Sequence, residues 1–136
     1  MTSPPAIIDT NVVVSGFLTS DPEGPTARIL DGMLAGRFPF LLSVDLLAEY
    51  RSVLLRPVIR RRHRRSPSEI DSVLTDIAAN GQVREVPGGL LNQGDGDEHL
   101  SALLADQPDS VLVTGDQALR RRLAPGRGVS PGEFRR

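Results

Sequence analysis

Four acidic residues, Asp9, Glu49, Asp97 and Asp116, fall where a chain could do chemistry with oxygen ligands alone. Asp9 directly follows the apolar run Ala6-Ile7-Ile8, and Asp116 follows Val111-Leu112-Val113-Thr114 after one glycine. Asp97 stands where a glycine-rich loop meets a segment with leucines at helical spacing. Glu49 lies on a helical pattern. At about 100° per residue it falls roughly 40° outside the apolar stripe of Leu46, Leu47, Tyr50, Val53 and Leu54, while Asp45 points well away. Four carboxylates in one cleft repel one another and raise their own pKa values unless a cation neutralises them. A divalent metal does so, makes hydroxide from bound water and stabilises a phosphoryl transition state. That chemistry is phosphodiester hydrolysis. Scattered acids are ordinarily surface acids, and spacing alone leaves that alternative open.

Composition removes most competitors. The chain has no cysteine, which excludes disulfides, thiol nucleophiles and zinc–thiolate sites. It has no lysine either: all 16 basic residues are arginines, so P-loop and Schiff-base chemistry are excluded. Two histidines, His63 and His99, do not make a histidine-rich metal site. The remaining oxygen ligands suit hard divalent cations. The net charge of −1 conceals a division. Six arginines lie between Arg56 and Arg65, whereas acids crowd Asp95-Gly96-Asp97-Glu98.

The elements that must position these acids alternate in type. A short buried strand is expected at 6–8, a helix carrying Ile29, Leu30, Met33 and Leu34 closed by Gly36, and a strand at 38–42. Ser43 can cap the next helix, which should stop before Pro57. Ser66-Pro67-Ser68-Glu69 is a capping box with proline at the first helical position, opening a helix that ends at Asn80-Gly81. Further expectations are a strand at 82–86, a helix carrying Leu100, Leu103 and Leu104, a strand at 110–114, a helix at 117–123 and a last strand near Val129. Strands separated by helices predict a parallel α/β sheet with right-handed crossovers, in which sites form past the carboxyl ends of the strands. With 136 residues, a single domain over 5–134 is expected. The N-terminus shows no basic region followed by an apolar stretch and no run is long enough to span a bilayer, so the expected location is cytoplasmic, with no membrane role.

Ile7-Ile8-Asp9-Thr10-Asn11-Val12-Val13-Val14-Ser15 resembles the opening motif of the PIN-domain family. Ser43-Val44-Asp45-Leu46-Leu47-Ala48-Glu49-Tyr50 resembles its second motif, Asp95-Gly96-Asp97-Glu98-His99-Leu100 its third, and Val113-Thr114-Gly115-Asp116-Gln117-Ala118-Leu119 its fourth. They come in the family's order. The tail Val129-Ser130-Pro131-Gly132-Glu133-Phe134 resembles one branch, the VapC-like toxins of toxin–antitoxin systems. The resemblance implies a PIN-like three-layer α/β fold with a parallel sheet of about five strands flanked by helices. It also implies an endoribonuclease dependent on Mg2+ or Mn2+, with Asp9, Asp97 and Asp116 holding metal. Glu49 would be a further ligand or would orient the attacking water, and Asn11 and Thr114 would support the ligands. The implied partners are an RNA substrate and a small antitoxin protein, with a homodimer as the assembly. The third motif departs from the branch, whose acidic run is denser and often preceded by arginine.

Plainer roles compete at several positions. Asp95, three residues before Glu98, makes a good N-cap; Asp45 is a first-turn acid favoured by the helix dipole. Thr10 and Ser15 read as local capping hydroxyls, and His99 as a residue that packs or faces solvent. Arg60-Arg61-Arg62-His63-Arg64-Arg65 is a solvated loop, a face for an acidic partner or an RNA contact. Arg120 and Arg121, just past Asp116, are the nearer RNA-binding candidates. The alternative function is a catalytically inactive PIN-like module acting through protein or RNA binding. A phosphatase with Asp9 as nucleophile needs an aspartate where the chain has Asn11, and a lysine it lacks.

Overall fold

Ala6, Ile7 and Ile8 expose no surface, and burial on both faces marks them as an inner strand of a parallel sheet. Each isoleucine contributes roughly 1.5–3 kcal/mol by leaving water. In the computed structural model, which describes residues 3–86 and 98–135, this strand is β1 (Ala6–Ile8). It is followed by α1 (Thr10–Leu18), α2 (Pro25–Ala35), β2 (Leu41–Leu42), α3 (Val44–Leu54), α4 (Pro57–His63) and α5 (Pro67–Asn80). Then come β3 (Gln82–Val83), α6 (Glu98–Asp106), β4 (Val111–Val113), α7 (Gln117–Arg122) and β5 (Gly128–Val129).

Among the described residues all the strand pairs are parallel, as the alternation of elements predicts, and the five strands form two ladders rather than one continuous sheet: β1-β4-β5 with three strands and β2-β3 with two. A single parallel bridge, Ala6 to Phe40, and the bond from Ala6 N to the Pro39 carbonyl (3.0 Å) set β2 beside β1. The strands are two or three residues long, too short for a full ladder at that seam. Across it the order is β3-β2-β1-β4-β5. The chain therefore leaves β1 in one direction and returns on its other side at β4, which makes the carboxyl ends of β1 and β4 a topological switch point.

The sequence pattern does not mark α1, because Val12-Val13-Val14 is a β-branched run that favours strand. A local cap and tertiary burial override it. Asp9, in extended conformation, caps the helix, its side chain accepting from Thr10 N, and all three valines are buried. Elsewhere the caps act as expected: Ser43 Oγ accepts from Leu46 N, and Ser66 and Glu69 form the reciprocal capping box. Helix α3 buries Leu46, Tyr50 and Leu54, the centre of its apolar stripe. Pro57 does end the reach of α3, but it also opens α4, so Arg60, Arg61, Arg62 and His63 lie on a helix and not in a loop. No helix among the described residues is long and apolar enough to cross a membrane.

Candidate active site

The register of β1 against β4 pairs Ile8 with Val113. The next residue on each strand is therefore Asp9 and Thr114, side by side at the switch point, and Asp9 N donates to the Val113 carbonyl at 2.9 Å. Asp9 is 8% exposed, and its carboxylate is held from three directions. Oδ1 accepts from Thr10 N at 2.8 Å; Oδ2 accepts from Thr114 Oγ1 at 2.7 Å and from Asn11 Nδ2 at 3.2 Å.

Thr114 has no exposed surface and links two of the acids through one hydroxyl. While Oγ1 donates to Asp9, it accepts from Asp116 N at 3.0 Å. Asn11 completes the frame: its amide oxygen accepts from Gly115 N at 3.2 Å. Asp116 itself is exposed and caps α7, Oδ1 accepting from Leu119 N at 3.0 Å.

The third acid arrives from α3. Tyr50, fully buried, donates its hydroxyl to the Ile8 carbonyl at 2.5 Å, fixing that helix against the end of β1. Burial first, then the charges of Asp9 and Glu49, raise the Tyr50 pKa and keep the hydroxyl a donor. Glu49, one residue earlier, then meets the start of α1, where its Oε2 accepts from Thr10 Oγ1 at 2.5 Å. His99, in the first turn of α6, places Nε2 3.2 Å from the same oxygen. The ring nitrogens have no aligned hydrogen-bond partner among the described residues, so this is a contact of charge more than of direction. The His99 imidazole holds the Glu49 carboxyl below its ordinary range against the opposing effect of burial; Glu49 in turn raises the His99 pKa.

The structure thus gathers Asp9, Asn11, Glu49, Thr114 and Asp116 around the ends of β1 and β4. Asp97 and Asp95 lie outside the described residues. Three participants were not marked by the sequence. Thr10 is a bridge to Glu49 and not only a local cap, His99 neither merely packs nor faces solvent, and Tyr50 anchors a strand end. Thr10 is adjacent to Asp9, and His99 lies among acids; neither signal told where α3 would cross. Arg120, assigned to RNA on sequence, is half-buried and donates from Nη1 to the Thr114 carbonyl at 2.6 Å. Its guanidinium is tied to the β4 end, while Arg121 is exposed.

The donor set is carboxylates backed by hydroxyls and amides, which is the set a hard divalent cation takes. Among the described residues no three His, Asp or Glu form a metal-holding group by themselves. A family model described as the PIN domain matches residues 5–118, a span that contains all four candidate acids. Comparison with curated proteins and with solved structures gave no match.

Proposed function

Because this chain belongs to the PIN-domain family, a nuclease fold, we propose that it is a metal-dependent endoribonuclease, the toxin of a toxin–antitoxin pair. The observation that carries the proposal is the Asp9 carboxylate, held by three donors and joined through Thr10 to Glu49 and through Thr114 to Asp116.

Asp9, Asp116 and Asp97 would hold Mg2+ or Mn2+, with Glu49 a further ligand or the residue that orients the attacking water. When bound, the ion neutralises carboxylate and phosphate charge and acidifies the water it carries. The remaining work belongs to the chain. Thr10 N–H, Thr114 and Asn11 hold the Asp9 carboxylate in place and aim it. Charge-assisted bonds of this kind are the strong ones. In either role the Glu49 carboxylate is favoured in its ionised form by the neighbouring imidazole of His99. Arg121, exposed beyond Asp116, is a candidate for the phosphates flanking the cut. The expected partners are an RNA substrate, a small antitoxin protein and a second copy of the chain as a homodimer, acting in the cytoplasm.

One observation favours the alternative of a catalytically inactive module. His99 already stands against Glu49 Oε2, so that acid has a neighbour able to carry positive charge without a metal. Incubation of purified protein with single-stranded RNA separates the two. The nuclease cuts with magnesium or manganese and stops with a chelator; the inactive module binds without cutting under either condition.

A further inference from the structure

We propose that a cleft between α4 and α5, lined by none of the four acids, is a second binding site for the RNA backbone, taking phosphates along the strand from the cleavage point. The inference rests on the nuclease function proposed above. The cleft measures about 580 Å³ and is lined by Arg60, Arg61, Arg64 and Arg65, with Ser66 and Glu69 at one edge. All four arginines are exposed, and no ion pair to any of them forms among the described residues. The single carboxylate in the lining is engaged: Glu69 Oε1 accepts from Ser66 N at 3.0 Å in the capping box.

The backbone here is fixed in an unfavourable form. Arg64 ends α4 at φ 60, the only non-glycine residue with positive φ among the described residues, at a position where glycine or asparagine is favoured. Arginine is held there at a conformational cost that glycine would not carry. His63 holds the turn. Its Nε2 lies 2.8 Å from the Leu54 carbonyl, and its Nδ1 accepts from Arg65 N at 2.9 Å, so one tautomer satisfies both. Arg65 then lies over Phe17, 5.8 Å from the ring centroid, and His63 packs on the same ring at 6.2 Å. The arginines are presented on a rigid frame before any ligand arrives.

The plain explanation is that cations gather at the C-terminal end of α4, where the helix dipole favours them. It covers Arg60 to Arg62 but not Arg64 in its left-handed turn, nor Arg65 beyond it. Phosphate fits better than a protein surface. Guanidinium forks match phosphate oxygens in pairs, and the lining has no aromatic anchor of the kind that dominates protein interfaces. The position suits a continuing strand: Phe17 is seven residues beyond Thr10 on the same face of α1, roughly 10 Å along the axis.

The test is fluorescence anisotropy, in chelator so that nothing is cut, with single-stranded RNAs of ~4 and ~16 nucleotides, the span of single-strand site sizes. It compares the full chain with the variant Arg60→Ala, Arg61→Ala, Arg64→Gly. The variant should bind the longer RNA at least ~10-fold more weakly, with a log–log salt slope shallower by about 0.7 per arginine removed. The short RNA, which in chelator meets an un-neutralised acidic site, should also bind more weakly to the variant. Arg64→Gly alone should raise the melting temperature while weakening binding, which a structural role would not produce, since glycine relieves the left-handed turn. Unchanged affinity and slope for the longer RNA overturn the proposal, as does an unchanged RNA slope with lost binding of polyglutamate, which would assign the cleft to an acidic protein. Metal-dependent cleavage that persists in the variant shows that the nuclease function stands independently of this cleft.

Discussion

Thr10 Oγ1 donates to Glu49 Oε2 at 2.5 Å, so the residue that follows Asp9 ties the start of α1 to the middle of α3. The backbone N–H of the same threonine donates to Asp9 Oδ1. One residue thereby sets the spacing of two acids on different elements. Thr10→Val keeps the shape of this buried side chain and removes only the hydroxyl bond. Glu49 is one-third exposed and can recover water, so the stability loss should be modest, about 1 kcal/mol. Cleavage should fall roughly 10-fold or more, because small misplacements of catalytic groups are costly. Denaturant melts read the first effect and initial rates the second; wild-type rates in a folded variant would remove Thr10 from the site.

Thr114→Val should cost more. Its hydroxyl is fully buried and serves Asp9 and the Asp116 N–H together. Losing it leaves polar groups without a partner, at roughly 1–3 kcal/mol. The affinity for manganese should fall with stability. Calorimetric titration checks the metal, and a variant with native affinity would contradict the framing role given to Thr114.

The pair Glu49 and His99 should give metal-free protein a pH-dependent coupling. The folded Glu49 pKa is lowered, so its contribution is present above the unfolded value near 4.3 and lost as pH falls through the folded one. The folded His99 pKa is raised, so its contribution is complete below about 6.5 and lost as pH rises through the folded value. Coupling should therefore be greatest between about 4.3 and 6.5. A double-mutant cycle with Glu49→Gln and His99→Gln, run in chelator, should show it near pH 5.5 and lose it near pH 9. Equal coupling at both values would rule out an ionised pair.

Manganese should stabilise the protein, since an ion bound only by the native state adds about 2.7 kcal/mol at a hundred times its dissociation constant. Asp116→Asn should reduce the rise in melting temperature. No rise at millimolar manganese would favour the inactive module.

Much of the fold is legible in the residues. Ala6-Ile7-Ile8 and Val111-Leu112-Val113 read as inner strands because both faces are apolar, and Ser66 with Glu69 announces α5. Helix α1 is hidden, because three valines favour strand until tertiary burial and the Asp9 cap decide otherwise. The arginine run conceals α4, which buries no residue and so shows no apolar period. The five short strands read as one sheet; a seam of one bridge is a matter of strand length that sequence pattern does not encode. In the site, Asp9 and Thr114 follow from the ends of two strands. The contacts of Thr10, Tyr50 and His99 depend on where α3 and α6 cross, which no local signal carries.

The most direct measurement is single-turnover cleavage of one single-stranded RNA by wild-type protein and by Asp9→Asn across a manganese titration. Asparagine preserves the size of the side chain at the end of β1 while removing the charge that Thr10, Thr114 and Asn11 hold in place. Wild-type protein should cut with manganese and stop in chelator. The folded variant should lose at least ~100-fold in rate at saturating metal, the scale on which removal of one preorganised group acts. Equal rates for the two proteins, or full cleavage by the wild type in excess chelator, would contradict a metal nuclease built around Asp9.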